Sequence, residues 1–302
     1  MRCRPLSDLR AADEAQFGGK SAGLGELIAA GLAVPPGFAV SSAAGEGDLD
    51  EVVAAYQAMG EPPVAVRSSA IGEDSAEASF AGLQDTLLWV RGVERVRQAV
   101  RDCWASLHNP EAVSYRERIG FQGEPAMGVT VQEMVDAAVS GVMFTCNPVN
   151  GDPSTIAVNA SWGLGLAVVG GEVTPDEFRL NKVTGEVTHR SVGPKQVEYR
   201  PDPEGAGTIR VEVSEQRQAE ACLDDDQLAA LLGLGKRVEE HFGSHQDIEW
   251  AIAGGEQPAT FVLQSRPVTT APKREAEPGR RQSAIAMVMG TFGADAKPQE
   301  KS

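Results

Sequence analysis

Hydrophobic positions along this chain follow two rhythms, and their order predicts a mixed fold. Helical spacing appears first in residues 17–31, where FGGKSAGLGELIAAG opens on a glycine turn, carries Leu24, Leu27 and Ile28 on one side, and closes at Gly31. It returns in residues 92–108, with Val93, Val96, Val100, Cys103, Trp104 and Leu107 on one face. A third such stretch, residues 224–242, has an acidic start and then Leu228, Leu231, Leu232, Val238 and Phe242. Shorter helices are expected within 50–59 and 110–119. PVAVRSS, residues 63–69, reads as a buried strand running into a polar loop. Between residues 128 and 197 the pattern changes to short strands with turn signals: GVTVQEMV, VSGVMFT, TIAVNAS, EFRLN and GEVTHRSV. These predict one antiparallel sheet. Strands and helices without regular βαβ alternation predict the α+β class.

The strongest alternation lies in residues 246–267, QDIEWAIAGGEQPATFVLQSRP. Ile248, Trp250 and Ile252 point one way on the first strand, and Phe261 and Leu263 one way on the second. A loop over residues 254–257 puts Asp247 opposite Gln264 and groups Glu249, Gln264 and Arg266 on the opposite, wet face. Carboxylate, amide oxygen and guanidinium side by side suit Mg²⁺ and phosphate, since hard oxygens hold the metal and Arg clamps phosphoryl oxygens. A solvated sheet face that happens to carry an ion pair fits the same residues.

Charge narrows the choice. The formal net charge of −16 and pI near 4.7 argue against nucleic acid as a partner. A polyphosphate must then be held by a few focused cations. Lys20 in GGKS is one candidate, at a helix start where N–H groups favour an anion, although a solvated lysine is the commoner outcome for such a residue. The segment is not a Walker A loop, because Glu14 stands where that motif needs a glycine. Arg67, where the Val-rich strand meets Ser68 and Ser69, needs an anion or a carboxylate such as Glu73 or Asp74. SFAGLQDT, residues 79–86, could bring backbone close to phosphates. VQEMV, residues 131–135, read as an edge segment, could offer adenine a backbone donor and acceptor in an apolar slot. Cys3, Cys103, Cys146 and Cys222 form no CxxC pair and read as reduced buried thiols. No apolar run follows Met1, so a soluble cytoplasmic protein is expected. The expected organisation is an N-terminal lobe over 1–120, a C-terminal lobe over 121–270, and a linker and tail over 271–302. Within that tail the apolar residues 284–292 are a candidate docking element.

Taken in order, GGKSAGLGEL, VAVRSSA, SFAGLQDT, VQEMV, SGVMFTCNP, NASWGLG, TPDEF, QDIEW and LQSRPVT resemble a known domain. It is the N-terminal nucleotide-binding domain of the phosphoenolpyruvate synthase and pyruvate phosphate dikinase family, a group that includes rifampicin phosphotransferase. The resemblance runs over about residues 17–269. It implies an ATP-grasp fold, α+β, with two lobes and ATP bound between antiparallel sheets. It implies that Lys20 and Arg67 hold the phosphates and that the backbone of Gln132, Glu133, Met134 and Val135 forms the adenine hinge. By the same resemblance Glu249 and Gln264 bind Mg²⁺, Arg266 contacts the transferring phosphates, and Asp247 supports them. Relatives pass phosphoryl from ATP to a histidine on a swivelling domain, leaving AMP and inorganic phosphate, and that histidine then phosphorylates pyruvate, an antibiotic or another acceptor.

Two departures shape the expectation. None of His108, His189, His241 and His245 stands in a TSHxA-like carrier context, so the carrier is expected on a separate chain. The stretch between FAV and VAVRSS is shorter than relatives usually carry, which implies a reduced helical part of the first lobe. A noncatalytic ATP-binding regulatory module, or a truncated relic of such an enzyme, is the competing expectation.

Overall fold

Small and apolar residues alternate along the strands of the first half and give its sheet two unlike faces. The computed structural model describes residues 2–71, 86–110, 113–114, 126–205, 207–255 and 258–268. They divide into two units, Met1–Val135 with Pro201–Ile209, and Asp136–Arg200 with Arg210–Ser302. The first contains β1 (Cys3–Pro5), α1 (Glu14–Phe17), α2 (Gly19–Ala29), β2 (Gly37–Val40), α3 (Leu49–Ala58), β3 (Val64–Ala70), β4 (Thr86–Val90), α4 (Val93–Ser106) and β5 (Met127–Glu133). Its strands form an antiparallel sheet in the order β1-β2-β5-β3-β4.

One face of that sheet presents Phe38, Val40, Val64, Val66, Val129 and Val131 to Leu49, Val52 and Tyr56 of α3 and to Val96, Val100 and Cys103 of α4. Burying each large apolar side chain stabilises the unit by roughly 1.5–3 kcal/mol. The other face meets α2. Ser21 Oγ lies 2.7 Å from Thr130 Oγ1, and the Ser21 N–H donates to Ser69 Oγ at 3.2 Å. Gly18 precedes the helix with φ +81°, and a Cβ there would fall 2.1 Å from the Ser69 carbonyl oxygen, so the turn admits only glycine.

Two expectations are corrected here. GVTVQEMV does not join the later strands: β5 is the central strand of the first sheet, because its alternating Val129 and Val131 complete the core under α3 and α4. The chain after Arg67 is not a polar loop. β3 continues to Ala70, with Ser68 and Ser69 fully buried in the ladder against β5.

The second unit contains β6 (Ala137–Phe144), β7 (Thr155–Trp162), α5 (Leu166–Val169), β8 (Asp176–Asn181), β9 (Val187–Ser191), β10 (Val197–Pro201), β11 (Thr208–Glu212), α6 (Glu215–Ala219), α7 (Asp225–Phe242), β12 (Gln246–Ala253) and β13 (Thr260–Pro267). Six of the strands form an antiparallel sheet ordered β13-β12-β6-β7-β8-β9, and β10 pairs with β11. A capping box starts α7: Asp224 Oδ1 accepts from Gln227 N–H at 2.8 Å and Gln227 Oε1 accepts from Asp224 N–H at 3.0 Å. The helix ends at left-handed Gly243. Its buried Leu228, Leu231 and Val238 mark the inner side, where Gly235 lies against Ile156 and Met143 of the sheet. On that same sheet face a Cβ at Gly141 would come 1.9 Å from the Asn159 carbonyl oxygen and 2.8 Å from Trp250 Cζ2, so glycine is what lets the indole lie flat there.

A buried ion pair fixes the TPDEF segment. Asp176 and Lys195 are fully buried, and the lysine Nζ donates to Asp176 Oδ1, to Gly193 O at 2.8 Å and to Gln218 O at 3.3 Å. The carboxylate also accepts from Gly193 N–H at 2.9 Å and from Cys222 N–H at 2.8 Å. Every ammonium hydrogen has a partner, which is the condition for burying such a pair.

No described helix is long and apolar enough to cross a membrane. All four cysteines are buried and free. The helix expected over 110–119 lies mostly outside the described residues, as does SFAGLQDT up to residue 85. The linker and the apolar residues 284–292 lie wholly outside them.

Candidate functional site

The hairpin of β12 and β13 sets the geometry of the site, and its register differs from the simplest reading of the sequence. Glu249 pairs directly with Gln264, and Asp247 with Arg266. Trp250 pairs with Val262, so Leu263 is the extra residue of a β-bulge. The connection is also longer than residues 254–257, since Ile252 pairs with Thr260. Each change slips the second strand by one residue, and together they restore parity. Gln264 and Arg266 therefore stay on the polar face, while Val262 turns to the apolar face with Trp250 and Phe261 falls opposite Ala251.

That polar face is less wet than expected. Asp247 is only 7% exposed, and Glu249, Gln264 and Arg266 are half-buried. Arg266 Nε donates to Asp247 Oδ2 at 2.8 Å, and a second guanidinium nitrogen approaches the same oxygen at 2.8 Å. Asp247 thus holds the guanidinium in place beside Gln264. Burial pushes the Asp247 carboxyl above its usual range; Arg266 opposes that rise and neighbouring Glu249 adds to it. Two carboxylates in a partly desolvated setting make this face a place where added positive charge is favourable.

The face continues across the sheet. Glu249 pairs with Val142, Val142 with Asn159, and Asn159 with Glu177. One pair further along, Ala251, Ser140 and Ser161 form a parallel row. Ser140 Oγ donates to Gly163 O at 2.6 Å, which ties the GLG turn of NASWGLG to the strand.

The remaining predicted residues belong to the first unit. Arg67 pairs with Thr130, and Ala65 with Gln132, so Arg67 and Gln132 share the sheet face that α2 covers. The first turn of α2 carries Lys20 and is anchored on Ser69 and Thr130 of the same face. Lys20, Arg67 and Gln132 are brought to one side of one sheet. VQEMV is not an edge segment: β2 and β3 flank Gln132, the Glu133 N–H donates to Pro36 O at 2.8 Å, and the Met134 N–H to Pro63 O at 2.9 Å. The Gln132 amide is also spent, on Pro35 O at 3.3 Å.

The donor set suits magnesium. Glu249 and Gln264 supply a carboxylate and an amide oxygen from directly opposed positions, and Mg²⁺ commonly takes few protein ligands and keeps water and phosphate for the rest. Among the described residues no group of three or more His, Cys, Asp or Glu side chains is placed to hold a metal ion.

Residues 46–286 match the family model of the pyruvate phosphate dikinase AMP/ATP-binding domain. The chain belongs to this family. It is 39% identical over 305 residues to the "Probable phosphoenolpyruvate synthase" of Methanothermobacter thermautotrophicus, covering 84% of this chain and 44% of that protein. It is 40% identical over 313 residues to the rifampicin phosphotransferase of a Streptomyces species, covering 88% of this chain and 36% of the relative. Against the phosphoenolpyruvate synthase of Pyrococcus furiosus the identity is 44% over 213 residues, 68% of this chain and 26% of that protein. The chain therefore spans less than half the length of these relatives. Among solved structures, PH1788 from Pyrococcus horikoshii aligns with a TM-score of 0.47 at 14% identity, over 89% of this chain and 97% of that one.

Membership of the dikinase AMP/ATP-binding family agrees with the motif resemblance in the sequence. Asn159 and Ser161 were visible there only as letters within the TIAVNAS and NASWGLG segments. Lys195, whose partner lies far away in sequence, carried no signal.

Proposed function

We propose that this domain binds Mg-ATP in the manner of an ATP-grasp protein and drives phosphoryl transfer of the dikinase type to a histidine on a swivelling carrier outside these residues. The observation that carries the reading is the direct pairing of Glu249 with Gln264 on a half-buried polar face, beside an Arg266 already oriented by Asp247. Lys20 and Arg67 bind the phosphates, Lys20 at a helix start whose dipole favours anions. The adenine lies against the hinge of residues 132–135. Because the N–H groups of Glu133 and Met134 already serve Pro36 and Pro63, we assign the hinge donor to Val135. Magnesium, held by Glu249 and Gln264, would offset charge on the polyphosphate. Arg266, fixed rather than free to search, presents its guanidinium to the phosphoryl group in transit, and preorganised charge of this kind is the main source of catalysis in phosphoryl transfer.

The balance of the reaction is explicit. The β-phosphoryl group moves to an imidazole nitrogen, the γ-phosphate leaves as inorganic phosphate with one water consumed, and AMP is released. Mixing the protein with Mg-ATP and a swivelling histidine domain, then measuring AMP and acid-labile phosphate on that domain, tests the reading. Equal amounts of AMP and phosphohistidine are expected. ADP as the product would contradict it, and Mg-ATP uptake without AMP would make the chain a noncatalytic binding module.

A further inference from the structure

Asn159 and Ser161 stand on β7, on the face that carries Glu249 and Gln264, and no step above uses them. They are 2% and 1% exposed, yet Asn159 Oδ1 and Ser161 Oγ have no hydrogen-bond partner among the described residues. Buried polar atoms in folded proteins are almost always paired, so two orphans on one face of one strand call for a reason. A neighbouring hydroxyl with a structural task does have a partner: Ser140 Oγ, beside Ser161 in the ladder, reaches Gly163 O.

The kind of orphan restricts what can satisfy it. An amide oxygen only accepts, and so do phosphate oxygens, so the nucleotide's phosphates cannot complete Asn159 Oδ1. A water polarised by a divalent cation can. Register supplies the distance: Glu249, Val142 and Asn159 are successive neighbours on three strands, which puts Asn159 two strand spacings, about 10 Å at Cα, from Glu249. Such a span suits contact through one water better than a shared direct bond to one ion, and Mg²⁺ usually keeps several of its waters.

We infer that Asn159 is a positioning residue for the metal-nucleotide complex, its Oδ1 accepting a hydrogen bond from a water in the Mg²⁺ shell, with the Ser161 hydroxyl supporting the same water layer. The inference rests on the reading of Glu249 and Gln264 as metal ligands. Loss of such an outer partner typically lowers metal affinity 10–100-fold.

The test titrates ATP into the full chain by calorimetry, with Mg²⁺ and with chelator, for wild type, Asn159→Leu, Asn159→Asp and Glu249→Ala, alongside thermal melts of each without ligand. In Asn159→Leu the Mg²⁺-supported gain in ATP affinity should fall by about 10–100-fold. Metal-free affinity should be unchanged and the melting midpoint not lowered, since an unpaired buried acceptor has been replaced by an apolar group of similar size. Asn159→Asp, which keeps an acceptor, should retain the metal dependence. Full metal dependence in Asn159→Leu, with that dependence lost in Glu249→Ala, would overturn this inference alone. Equal loss of metal-free binding and thermal stability would assign Asn159 a structural role. Should Asn159→Leu not fold, Asn159→Asp and Asn159→Ser carry the same comparison, and Asn159→Ser retaining the full metal dependence overturns it. Absence of any Mg²⁺ effect in wild type would remove the underlying reading as well.

Discussion

The two sheets of this molecule use the same plan and finish it differently. Each is antiparallel with helices over an apolar face, α3 and α4 in the first unit and α7 in the second. On its other face the first sheet meets α2, and several polar groups there pair within the protein: Ser21 with Thr130 and Ser69, Gln132 with Pro35. The corresponding face of the second sheet gathers Asp247, Glu249 and Gln264 and leaves Asn159 Oδ1 and Ser161 Oγ unmatched. A hydroxyl packed under a helix finds its partner within the protein, whereas a buried polar atom without one is where a bound ligand would supply it.

The largest effect that should separate the two faces is catalytic. Glu249→Ala is expected to lower AMP formation with the carrier by more than about 100-fold, beyond the range typical of outer-shell partners, while far-ultraviolet circular dichroism stays native. Arg266→Ala should behave differently, because it strands the buried Asp247. A loss of about 3–5 kcal/mol in urea unfolding is expected, and Asp247→Asn on top of it should recover most of that loss; a single Arg266→Ala variant of wild-type stability would show that the pair does not hold the hairpin. Next in size is a matched comparison of hydroxyls. Ser21→Ala removes a paired group and should cost about 1 kcal/mol, whereas Ser161→Ala removes an unpaired one and should cost nothing in the ligand-free protein. Equal costs would erase the distinction drawn here.

The smallest effect concerns Cys3, whose thiol burial pushes to about 12, with Glu51 and Asp48 adding to the rise. A pKa raised on folding contributes stability that is intact below the ordinary value near 9.0 and is lost as pH climbs through the folded value. Native Cys3 should therefore resist a thiol reagent at pH 8 and still at pH 10, and react at once in denaturant. Fast native labelling at pH 8 would contradict its burial.

Much of the second unit's site was legible because Ile248, Trp250 and Ile252 alternate so regularly that the polar side of β12 could be assigned without a structure. The pairing was not, since the bulge at Leu263 and the longer connection leave no mark in a pattern of hydrophobic letters. Their effects cancel at Gln264 and Arg266, which is why both residues keep the polar face although their partners differ. The placement of β5 was hidden for another reason. Strand partners are chosen by contacts far along the chain, and VQEMV sits next in sequence to β6 while pairing with β2 and β3. The Asp176 and Lys195 pair was silent for the same cause, a lone lysine becoming meaningful only once Gly193, Gln218 and Cys222 surround it.

The account stands on the claim that Glu249 and Gln264 hold a divalent ion against a bound nucleotide. Calorimetric titration of the wild-type chain with ATP, in the presence of Mg²⁺ and then of chelator, measures this most directly. Tight binding that weakens strongly when the metal is removed, and that Glu249→Gln no longer shows, is the predicted result. Identical affinity with and without Mg²⁺ would contradict it.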